Sequence, residues 1–396
     1  MIRHLFKLVW NRKRANALLL LEIFFSFLVV FGVATLALFT WSNYRRPLGF
    51  EWRNVWDVSL DVKQDSDDTW TPEQMDRFTR LLAETRALPP VAAVAGSLVA
   101  PFGFNSSNGG WTSAAGRDVR SEVVEVSADY ARVLGIQVEE GRWFEPSDAA
   151  QPWRAAVVSR SLARELYGDA SPLGKPVREH DIEERIVGVV SDFRRAGELS
   201  IPDNIFLRLI REGNPADRPG RHLLVRVQPG TPAAFEEDLV RHMQAVAPDW
   251  SFEVQPLSRL RDTAFRFRLA PVAIGGIIAF FLLAMVALGL LGVLWQSLLR
   301  RTREMGLRRA AGASALAVQR QVLLEQVVLT TLGVALGLVL VLQLPLLGVV
   351  RWVGKPVFAG GIGLAVLVLY GLTTLCGLYP SWMARRLQPA EALRYE

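Results

Sequence analysis

The hydrophobic positions of this chain fall into four long runs, and the polar positions fill one long segment and several short ones between them. The runs cover residues 17–41, 269–299, 322–350 and 360–383. Each can cross the hydrocarbon core of a bilayer, which is about 30 Å thick and takes roughly 20 helical residues. A backbone in lipid must satisfy its own polar groups, so each run is predicted to be a helix. The pattern therefore predicts an integral membrane protein with four transmembrane helices.

The positions of lysine and arginine orient these helices. Segments 1–16, 300–321 and 384–396 are rich in basic residues, whereas the short turn 351–359 carries only Arg351 and Lys355. Positively charged flanks stay in the cytoplasm. The three basic segments are therefore predicted to be a cytoplasmic N-terminus, loop and tail, and residues 42–268 are predicted to lie outside.

The long external segment contains a weak internal repeat. In each copy an alternating strand is followed by a Thr-Pro helix start and a second strand: strand 55–62, helix to about Thr85 and strand 91–100, then strand 222–227, helix to about Val246 and strand 251–254. Thr71-Pro72 with Gln74 has the pattern of a capping box. Two such copies are typical of a ferredoxin-like domain.

A different module separates the two copies. It covers residues 117–215 and is predicted to hold a strand at 123–126, helices at 127–134 and 159–167, the second capped by Ser159, and a strand at 185–190. The Gly/Ser/Asn-rich stretch 103–116 is predicted to be a loop. The fold class is therefore a membrane α-helical protein with an external α+β domain of an outer and an inserted subdomain.

The charge distribution excludes nucleic acid as a partner and leaves the predicted architecture unchanged. The net charge is +6 and the pI is about 9.7. Residues 45–268 nevertheless carry 29 Lys and Arg against 34 Asp and Glu, so the positive excess lies beside the membrane helices. Basic residues there determine topology and bind anionic lipid. We therefore expect membrane lipid, and no nucleic acid, among the partners.

The chain shows no constellation of catalytic, metal-binding or cofactor-binding residues. The four histidines share no metal-ligand spacing, and the single cysteine, Cys376, falls in the fourth apolar run. Pro172-Leu-Gly-Lys175 lacks the upstream glycine and the following Ser or Thr of a phosphate loop. Glu22 and Glu325 are the ionisable residues within the runs, which argues against a hydrophilic pore. We expect no enzyme activity, metal or cofactor on this chain.

The cytoplasmic loop has the features of a docking surface. Glu304 is spaced i,i+4 from Arg300 and Arg308, which favours a short helix, and Gly312 suits the end of that helix. The predicted docking residues are Arg301, Arg303, Glu304, Met305, Gly306, Arg308, Arg309 and Gly312. The alternative interpretation is a topology signal alone.

Two further patterns concern the membrane helices. Gly333 and Gly337 form a small-xxx-small face, which favours close packing of helices either within the chain or in a dimer. Residues 257–267 read as a helix that could continue past Pro271 into the second run. Such a helix would be a stiff connection between the external domain and the cytoplasmic loop.

Several motifs resemble those of a known family. The external ones are Val126-Ser-Ala-Asp-Tyr-Ala-Arg-Val-Leu-Gly135, Glu140-Gly-Arg-Trp-Phe144, Ser159-Arg-Ser-Leu-Ala-Arg-Glu-Leu-Tyr-Gly168, Ser171-Pro-Leu-Gly-Lys175 and Ile186-Val-Gly-Val-Val-Ser-Asp-Phe193. They are similar to the periplasmic core domain of MacB-type ABC-transporter permeases. Residues 301–314 and 389–396 resemble the FtsX-like permease domain of the same type VII, or mechanotransmission, family.

The resemblance implies a permease subunit of a bacterial inner membrane, with a periplasmic domain of porter-like and inserted subdomains. Such a subunit dimerises with a second copy or a paralogue and recruits a separate cytoplasmic ABC ATPase, which holds ATP and Mg. In the family, Glu304, Gly306, Arg308 and Gly312 fall on the coupling-helix motif. ATP-driven closure is transmitted to the periplasmic domains for export or extraction of a substrate. A periplasmic adaptor or enzyme is a further partner of this class.

The chain departs from MacB in two respects, since it starts without a fused ATPase domain and its first apolar run has a different pattern. Two alternatives to transport stay open. In one, the ATP-driven complex regulates a cell-wall hydrolase or a signalling partner. In the other, the chain is an ATPase-independent receptor whose external domain binds a ligand.

Overall fold

The computed structural model describes residues 13–62, 70–113, 115–179, 182–201, 204–211, 217, 220–310, 314–348 and 353–386. These residues form two compact units. The external unit spans Asn43–Arg268, and the membrane unit comprises the described residues up to Ser42 and from Leu269 onward. The N-terminal residues predicted as a cytoplasmic segment before Lys13, and the tail after Arg386, lie outside the described residues.

The outer part of the external unit contains both predicted strand–helix–strand copies. The first is β1 (Val55–Asp61), α2 (Pro72–Arg86) and β2 (Val91–Ser97); the second is β10 (His222–Val227), α5 (Phe235–Val246) and β11 (Ser251–Pro256). The strands pair in the order β11-β1-β10-β2, and each pair is antiparallel. This is the strand order of a ferredoxin-like fold interrupted between its halves.

Helix α2 starts where the sequence predicts. The Thr71 hydroxyl accepts a hydrogen bond from the Gln74 N–H at 3.2 Å, and the Thr71 N–H donates to the Gln74 side chain at 2.9 Å. This reciprocal pair satisfies two backbone groups that an α-helix leaves unpaired at its start. Met75, Phe78 and Leu82 then face the sheet and are buried.

Helix α5 starts later than the sequence predicts. The Thr231-Pro232 pair forms a turn, in which the Thr231 hydroxyl donates to the Gln228 carbonyl at 2.7 Å. The Phe235 N–H donates to the Pro232 carbonyl at 3.1 Å, and the helix begins at that residue. Thr-Pro signals both a helix start and a turn, and the local contacts here select the turn.

The inserted part continues the same sheet. It holds β3 (Asn108–Thr112), β4 (Asp118–Val126), α3 (Tyr130–Leu134), β5 (Val138–Gly141), a 3₁₀ helix (Pro146–Ala150), β6 (Arg154–Ser159), α4 (Arg160–Tyr167), β7 (Pro176–Glu179), β8 (Ile182–Val190) and β9 (Ile205–Leu209). The order β4-β9-β6-β8-β5 joins β2 through β4. Parallel pairs β4–β9 and β6–β8 arise because helices or long segments cross over between them.

The stretch 103–116, predicted as a loop, contains a strand instead. Residues Asn108–Thr112 pair with β4 in an antiparallel hairpin. Trp111 fixes this hairpin because its indole N–H donates to the Ser121 hydroxyl at 2.5 Å and its ring stacks on Phe206 at 4.3 Å. Tertiary burial of one tryptophan thus overrides the loop composition around it.

The membrane unit is built from four helices: α1 (Lys13–Tyr44), α6 (Leu257–Ala310), α7 (Ala315–Val341) and α8 (Lys355–Arg386), of which α1 and α6 extend into the external unit. Three described segments are long and apolar enough to cross a membrane, namely Ala17–Tyr44, Leu257–Gly292 and Lys355–Leu378. In α7 the apolar part, Gln326–Val341, is shorter. The structure therefore shows three apolar spans and one helix of borderline length.

The boundaries of the third and fourth runs differ from the prediction. Helix α7 ends at Val341, and residues 342–348 form turns in which the Gly348 N–H donates to the Pro345 carbonyl at 3.2 Å. Pro345 has no N–H to continue the helix, which explains this end. Helix α8 starts at Lys355 rather than at residue 360 because the Gly-rich stretch is part of the helix.

Candidate functional site

The predicted docking residues lie at the end of α6. Those within the helix are Arg301, Arg303, Glu304, Met305, Gly306, Arg308 and Arg309. The segment 300–321, expected to be a loop with its own short helix, is shared between the end of α6 and the start of α7, which follows Ser314. Gly312 lies outside the described residues. What these side chains bind stays a prediction.

The Gly333 and Gly337 face of α7 packs on α1. A Cβ added to Gly333 would lie 2.7 Å from the Ile23 side chain, and one added to Gly337 would collide with the Phe27 ring. Only glycine allows the two helices to approach this closely. Within the membrane unit, this face is therefore occupied by a helix of the same chain.

A second site, missed by the sequence analysis, lies in the external unit where the segment after α1 begins. Arg194 is 2% exposed and follows β8 in the loop 191–200. Its guanidinium donates to the carbonyls of Asn43 at 2.7 Å, Glu198 at 2.6 Å and Pro47 at 2.9 Å. It also donates to the Arg46 carbonyl. The Arg194 N–H donates to the Leu48 carbonyl at 2.9 Å, so one residue binds most of segment 43–48.

This arrangement resolves a local chemical problem. Carbonyls in the last turn of a helix have no intrahelical partner, and Asn43 lies in the last turn of α1. A guanidinium with five N–H donors can satisfy several of them at once. Burial lowers the pKa of the Arg194 guanidinium, Glu198 opposes this effect, and the nearby charge of Arg46 adds to it. Arginine remains charged despite such a shift, so the bonds are charge-assisted.

The same loop also binds the first turns of α6. The Glu198 carboxylate accepts a hydrogen bond from the Arg261 side chain. The Arg261 guanidinium lies over the Trp52 ring, 4.7 Å from its centroid. Since Arg194 donates to the Glu198 carbonyl and Arg261 donates to its carboxylate, Glu198 links the two connecting segments, 43–48 and 257–268. We call the set of Arg194, Glu198 and Arg261 the junction cluster.

Arg195 anchors the loop to the sheet on the other side. Its guanidinium donates to the Glu122 carboxylate at 2.8 Å, to the Ala100 carbonyl at 2.7 Å and to the Asn105 carbonyl at 2.8 Å. Arg195 is 2% exposed. All three guanidinium nitrogens are therefore engaged, and a buried ion pair of this kind fixes a geometry more than it adds stability. The junction cluster is therefore held rigidly to the body of the external unit.

Aromatic contacts close the same region. The rings of Phe50 and Phe193 lie 6.3 Å apart, and Tyr44 and Phe265 lie 6.0 Å apart in an edge-to-face geometry. The second contact joins the end of α1 to α6 directly. Motion of either helix end within this unit must therefore disturb the other.

A sequence signal for this site exists in retrospect. The loop starts with Ser191-Asp-Phe-Arg-Arg195 directly after a buried strand. Two adjacent arginines that follow a phenylalanine directly after an apolar strand indicate that their side chains are buried. Apart from Glu198, the side-chain partners of these arginines are more than 70 residues away in the chain, so spacing alone could not identify them.

Among the described residues there is no group of three or more His, Cys, Asp or Glu side chains that could hold a metal ion. The geometry of the site is that of a mechanical connection, made of buried hydrogen bonds and ion pairs.

Two family models match the chain in succession. The MacB-like periplasmic core domain matches residues 17–242, which is more than half of the chain. The FtsX-like permease C-terminal domain matches residues 276–389. The first match includes the loop 191–200, which carries Arg194 and Glu198, and the second match includes the predicted docking residues.

Individual relatives have the same character. The macrolide export ATP-binding/permease protein MacB of Bdellovibrio bacteriovorus is 26% identical over 321 residues, which cover 74% of this chain and 46% of that protein. The uncharacterised ABC transporter permease YknZ of Bacillus subtilis is 25% identical over 281 residues, which cover 68% and 69%. This chain spans about half the length of the MacB relatives that it matches.

Two solved structures are also similar to parts of the chain. The periplasmic region of MacB from Actinobacillus actinomycetemcomitans aligns with a TM-score of 0.40 and 14% identity, covering 54% of this chain and 93% of that one. The extracellular domain of YknZ aligns with a TM-score of 0.35 and 15% identity, covering 50% and 100%.

The order of the two matched domains agrees with the motifs found along the sequence. The apolar helices and the external unit supply the membrane part and the periplasmic part that the two domains require. The chain belongs to the family of ABC-transporter permeases that combines a MacB-like periplasmic core domain with an FtsX-like permease domain.

Proposed function

We propose that this chain is the membrane subunit of a mechanotransmitting ABC complex in a bacterial inner membrane. A separate cytoplasmic ATPase, which binds ATP and Mg, docks on residues 301–312. Four helices of the chain cross the membrane, and two permease subunits, either two copies or a paralogous pair, form the complex. ATP hydrolysis changes the conformation of the periplasmic units and thereby exports or extracts a substrate.

One observation carries this proposal: α6 is a single helix of 54 residues, Leu257–Ala310. At about 1.5 Å per residue it is roughly 80 Å long. In its first turns Arg261, a member of the junction cluster, donates to the Glu198 carboxylate. Its last turns contain Arg308 and Arg309. A displacement applied to the last turns is transmitted along this helix, in which Pro271 interrupts one backbone hydrogen bond without ending the helix.

The lack of a catalytic constellation supports the division of labour. The sequence holds no phosphate loop, and a phosphate loop or its equivalent is what ATP hydrolysis requires. Relatives of this chain are named as combined ATP-binding and permease proteins, which associates permeases of this kind with ATP hydrolysis. We therefore assign ATP hydrolysis to an ABC ATPase partner.

The test is reconstitution of the full chain with the ABC ATPase of its host in proteoliposomes. We expect the ATPase rate to rise when the chain is present, and to lose that stimulation in Glu304→Arg and Arg308→Glu variants. The matched control is Arg241→Glu, an equally drastic change at an exposed position of the external unit. Equal stimulation by all four proteins would contradict docking at this site.

The same proteoliposomes separate transport from regulation. Release of a membrane-embedded substrate that depends on ATP supports export or extraction. Activation of an added periplasmic enzyme, without release of any substrate, supports the regulatory alternative. An external unit that binds its ligand equally well without the ATPase supports a receptor.

A further inference from the structure

The connecting segments of the external unit carry an unusual charge. The external segment as a whole is acidic, but residues 43–53 and 257–268 hold seven arginines against two acidic residues, Glu51 and Asp262. Basic residues beside a membrane helix are normally kept on the cytoplasmic side. These arginines lie on the opposite side, so topology does not explain them.

Four of the arginines flank one aromatic contact. Tyr44 and Phe265 touch at 6.0 Å between ring centroids, Arg45 and Arg46 follow Tyr44, and Arg266 and Arg268 follow Phe265. Arg45, Arg46 and Arg266 are exposed, and Arg268 is partly exposed. The contact therefore brings the two segments that carry these arginine pairs together, and we call the four residues the arginine patch (Arg45, Arg46, Arg266 and Arg268).

Three carboxylates of this region lie beside arginines outside the patch. Glu198 is bonded to Arg261, Asp262 lies 3.8 Å from Arg261, and Glu51 lies 3.0 Å from Arg226. Within the described part of the chain, neither Arg46 nor Arg266 lies within ion-pair distance of a carboxylate. Arg46 and Arg266, both exposed, thus present positive charge to their surroundings.

An exposed apolar surface adjoins the patch. The rings of Phe104 and Phe267 lie 4.9 Å apart in an edge-to-face contact, yet the two residues are 55% and 67% exposed. Phe267 lies between Arg266 and Arg268 in α6. An aromatic pair this exposed costs free energy in water and is stabilised by contact with hydrocarbon.

The position along the chain decides what the surroundings are. Arg45 follows the span Ala17–Tyr44 directly, and Arg268 precedes Leu269, the first residue of the membrane unit. Both arginine pairs must therefore lie at the outer surface of the bilayer, where lipid phosphates are concentrated. Planar guanidinium groups bind phosphate oxygens in pairs, and an aromatic pair beside them suits the start of an acyl chain.

We propose that the arginine patch and the Phe104–Phe267 pair form a binding site for an anionic phospholipid in the outer leaflet. The arginines bind its phosphate and the aromatic rings bind the upper part of an acyl chain. The site includes Arg46, whose carbonyl accepts a hydrogen bond from Arg194 of the junction cluster, so the bound lipid lies beside that cluster. This proposal does not depend on the ATPase partner.

The test measures lipid binding by the full chain in neutral detergent. Phosphatidylglycerol and phosphatidylcholine with the same acyl chains are titrated, and bound lipid is counted by native mass spectrometry. The arginines at 300–309 also attract anionic lipid, so the readout is the difference between variants. A photoreactive phenylalanine derivative at Phe104 locates the site through cross-links to the lipid.

The decisive variant is Arg46→Gln with Arg266→Gln. We expect the affinity for phosphatidylglycerol at the cross-linked site to fall about thirtyfold, which corresponds to about 1 kcal/mol for each arginine. The cross-link from position 104 should fall in parallel, while binding of phosphatidylcholine stays unchanged. The matched control is Arg80→Gln with Arg241→Gln, which removes the same charge from exposed positions on α2 and α5.

A second variant, Arg46→Lys with Arg266→Lys, guards against misfolding, because it retains charge and should restore most of the binding. Soluble glycerol phosphate is a further competitor, and it should displace the lipid only weakly because it lacks the acyl chains. Three results would overturn the proposal: equal affinity for the two lipids, equal loss of binding in the control, or no lipid cross-link from position 104.

Discussion

Arg194 is the residue on which the connection between α1 and the external unit depends most. It satisfies four carbonyl groups, three of which belong to residues 43–47. A carbonyl that is buried without a partner costs about 1–3 kcal/mol. Loss of this one side chain therefore leaves several groups unsatisfied at once.

We predict that Arg194→Met lowers the free energy of unfolding by roughly 3 kcal/mol or more, because methionine fills part of the space but donates no hydrogen bond. The free energy of unfolding of Arg194→Lys should fall between those of the wild type and Arg194→Met, since an ammonium group cannot reach all four carbonyls. Thermal unfolding of the full chain, followed by tryptophan fluorescence, measures both. The control is Arg80→Met, which removes an exposed arginine and should cost less than about 1 kcal/mol. Equal effects at both positions would contradict the role of Arg194.

Asp148 offers a test by pH. Its carboxylate accepts two hydrogen bonds of 2.6 Å from Arg142 and one of 2.9 Å from the Glu145 N–H. Burial raises the pKa of Asp148, but these hydrogen bonds and the charge of Arg142 outweigh it, so the pKa lies below its ordinary value of 3.8. The folded state therefore binds the proton less readily than the unfolded state does.

The contribution of Asp148 to stability is present above pH 3.8 and is lost as the pH falls through the depressed value. We predict that Asp148→Asn destabilises the chain at neutral pH and removes part of the loss of stability in acid. Unfolding midpoints from neutral to acid pH measure this. Asp238→Asn, at an exposed ion pair, should leave the pH profile unchanged. If Asp148→Asn lowered the unfolding midpoint by the same amount at every pH, Asp148 would not be the source of this pH dependence.

At the scale of residues, the sequence predicted side chains that act locally and missed those that act at a distance. The Thr71 capping box and the Ser159 cap involve neighbours three residues away, so spacing was enough. Most partners of Arg194 and Arg195 are distant in the chain and are brought close only by the tertiary fold. No local pattern encodes such a contact, which is why the junction cluster was found in the structure.

Among the elements, α7 packs tightly against α1. Its Gly333 and Gly337 lie against Ile23 and Phe27 of α1, with no room for a Cβ. We predict that Gly337→Val lowers stability by about 1–3 kcal/mol, because overpacking forces the helices apart. The matched control is Gly371→Val in α8, where an added Cβ meets nothing within 4 Å. Thermal unfolding in detergent compares the two; equal stability would show that α1 and α7 are not packed in this way.

The elements that were predicted well are those with a strong periodic signal and a clear start or stop. Strands β1 and β10 alternate, α2 has its cap, and the helix from Leu257 continues past Pro271 as the pattern indicated. The hairpin strand β3 was missed because glycine and asparagine dominate its composition, while Trp111 supplies its stability through burial. The end of α7 was misplaced because apolar residues continue beyond Val341 although the helix does not.

The pairing of strands was also beyond the sequence. The repeat indicated a ferredoxin-like order for four strands, but the inserted strands join the same sheet through the single pair of Ser97 and Val126. Such a link depends on how two subdomains meet, and alternation of polar and apolar residues says nothing about it. Strand β6 is buried along its whole length, and residues 186–190 of β8 form an apolar run, as expected for strands covered on both faces.

At the scale of the whole molecule, the proposed mechanism depends on α6 as a continuous connection between the external unit and the predicted docking residues. Arg261 ties its start to the external unit, and the predicted docking residues lie at its end. We predict that a flexible insert of several glycines after Phe267 uncouples ATP hydrolysis from the conformational response of the periplasmic units. ATP hydrolysis should continue, since docking is intact, while the response of the periplasmic units is lost. A matched insert in the exposed turn at Gly230, far along the chain from α6, should leave both unchanged.

The most direct measurement is the distance between spin labels placed on the two periplasmic units of the reconstituted complex. Labels on α2, at the exposed position Arg80, leave the junction cluster intact. We expect the distance distribution to change between the nucleotide-free and ATP-bound complexes, and to remain unchanged when α6 carries the glycine insert. An identical change with and without that insert would contradict transmission through α6.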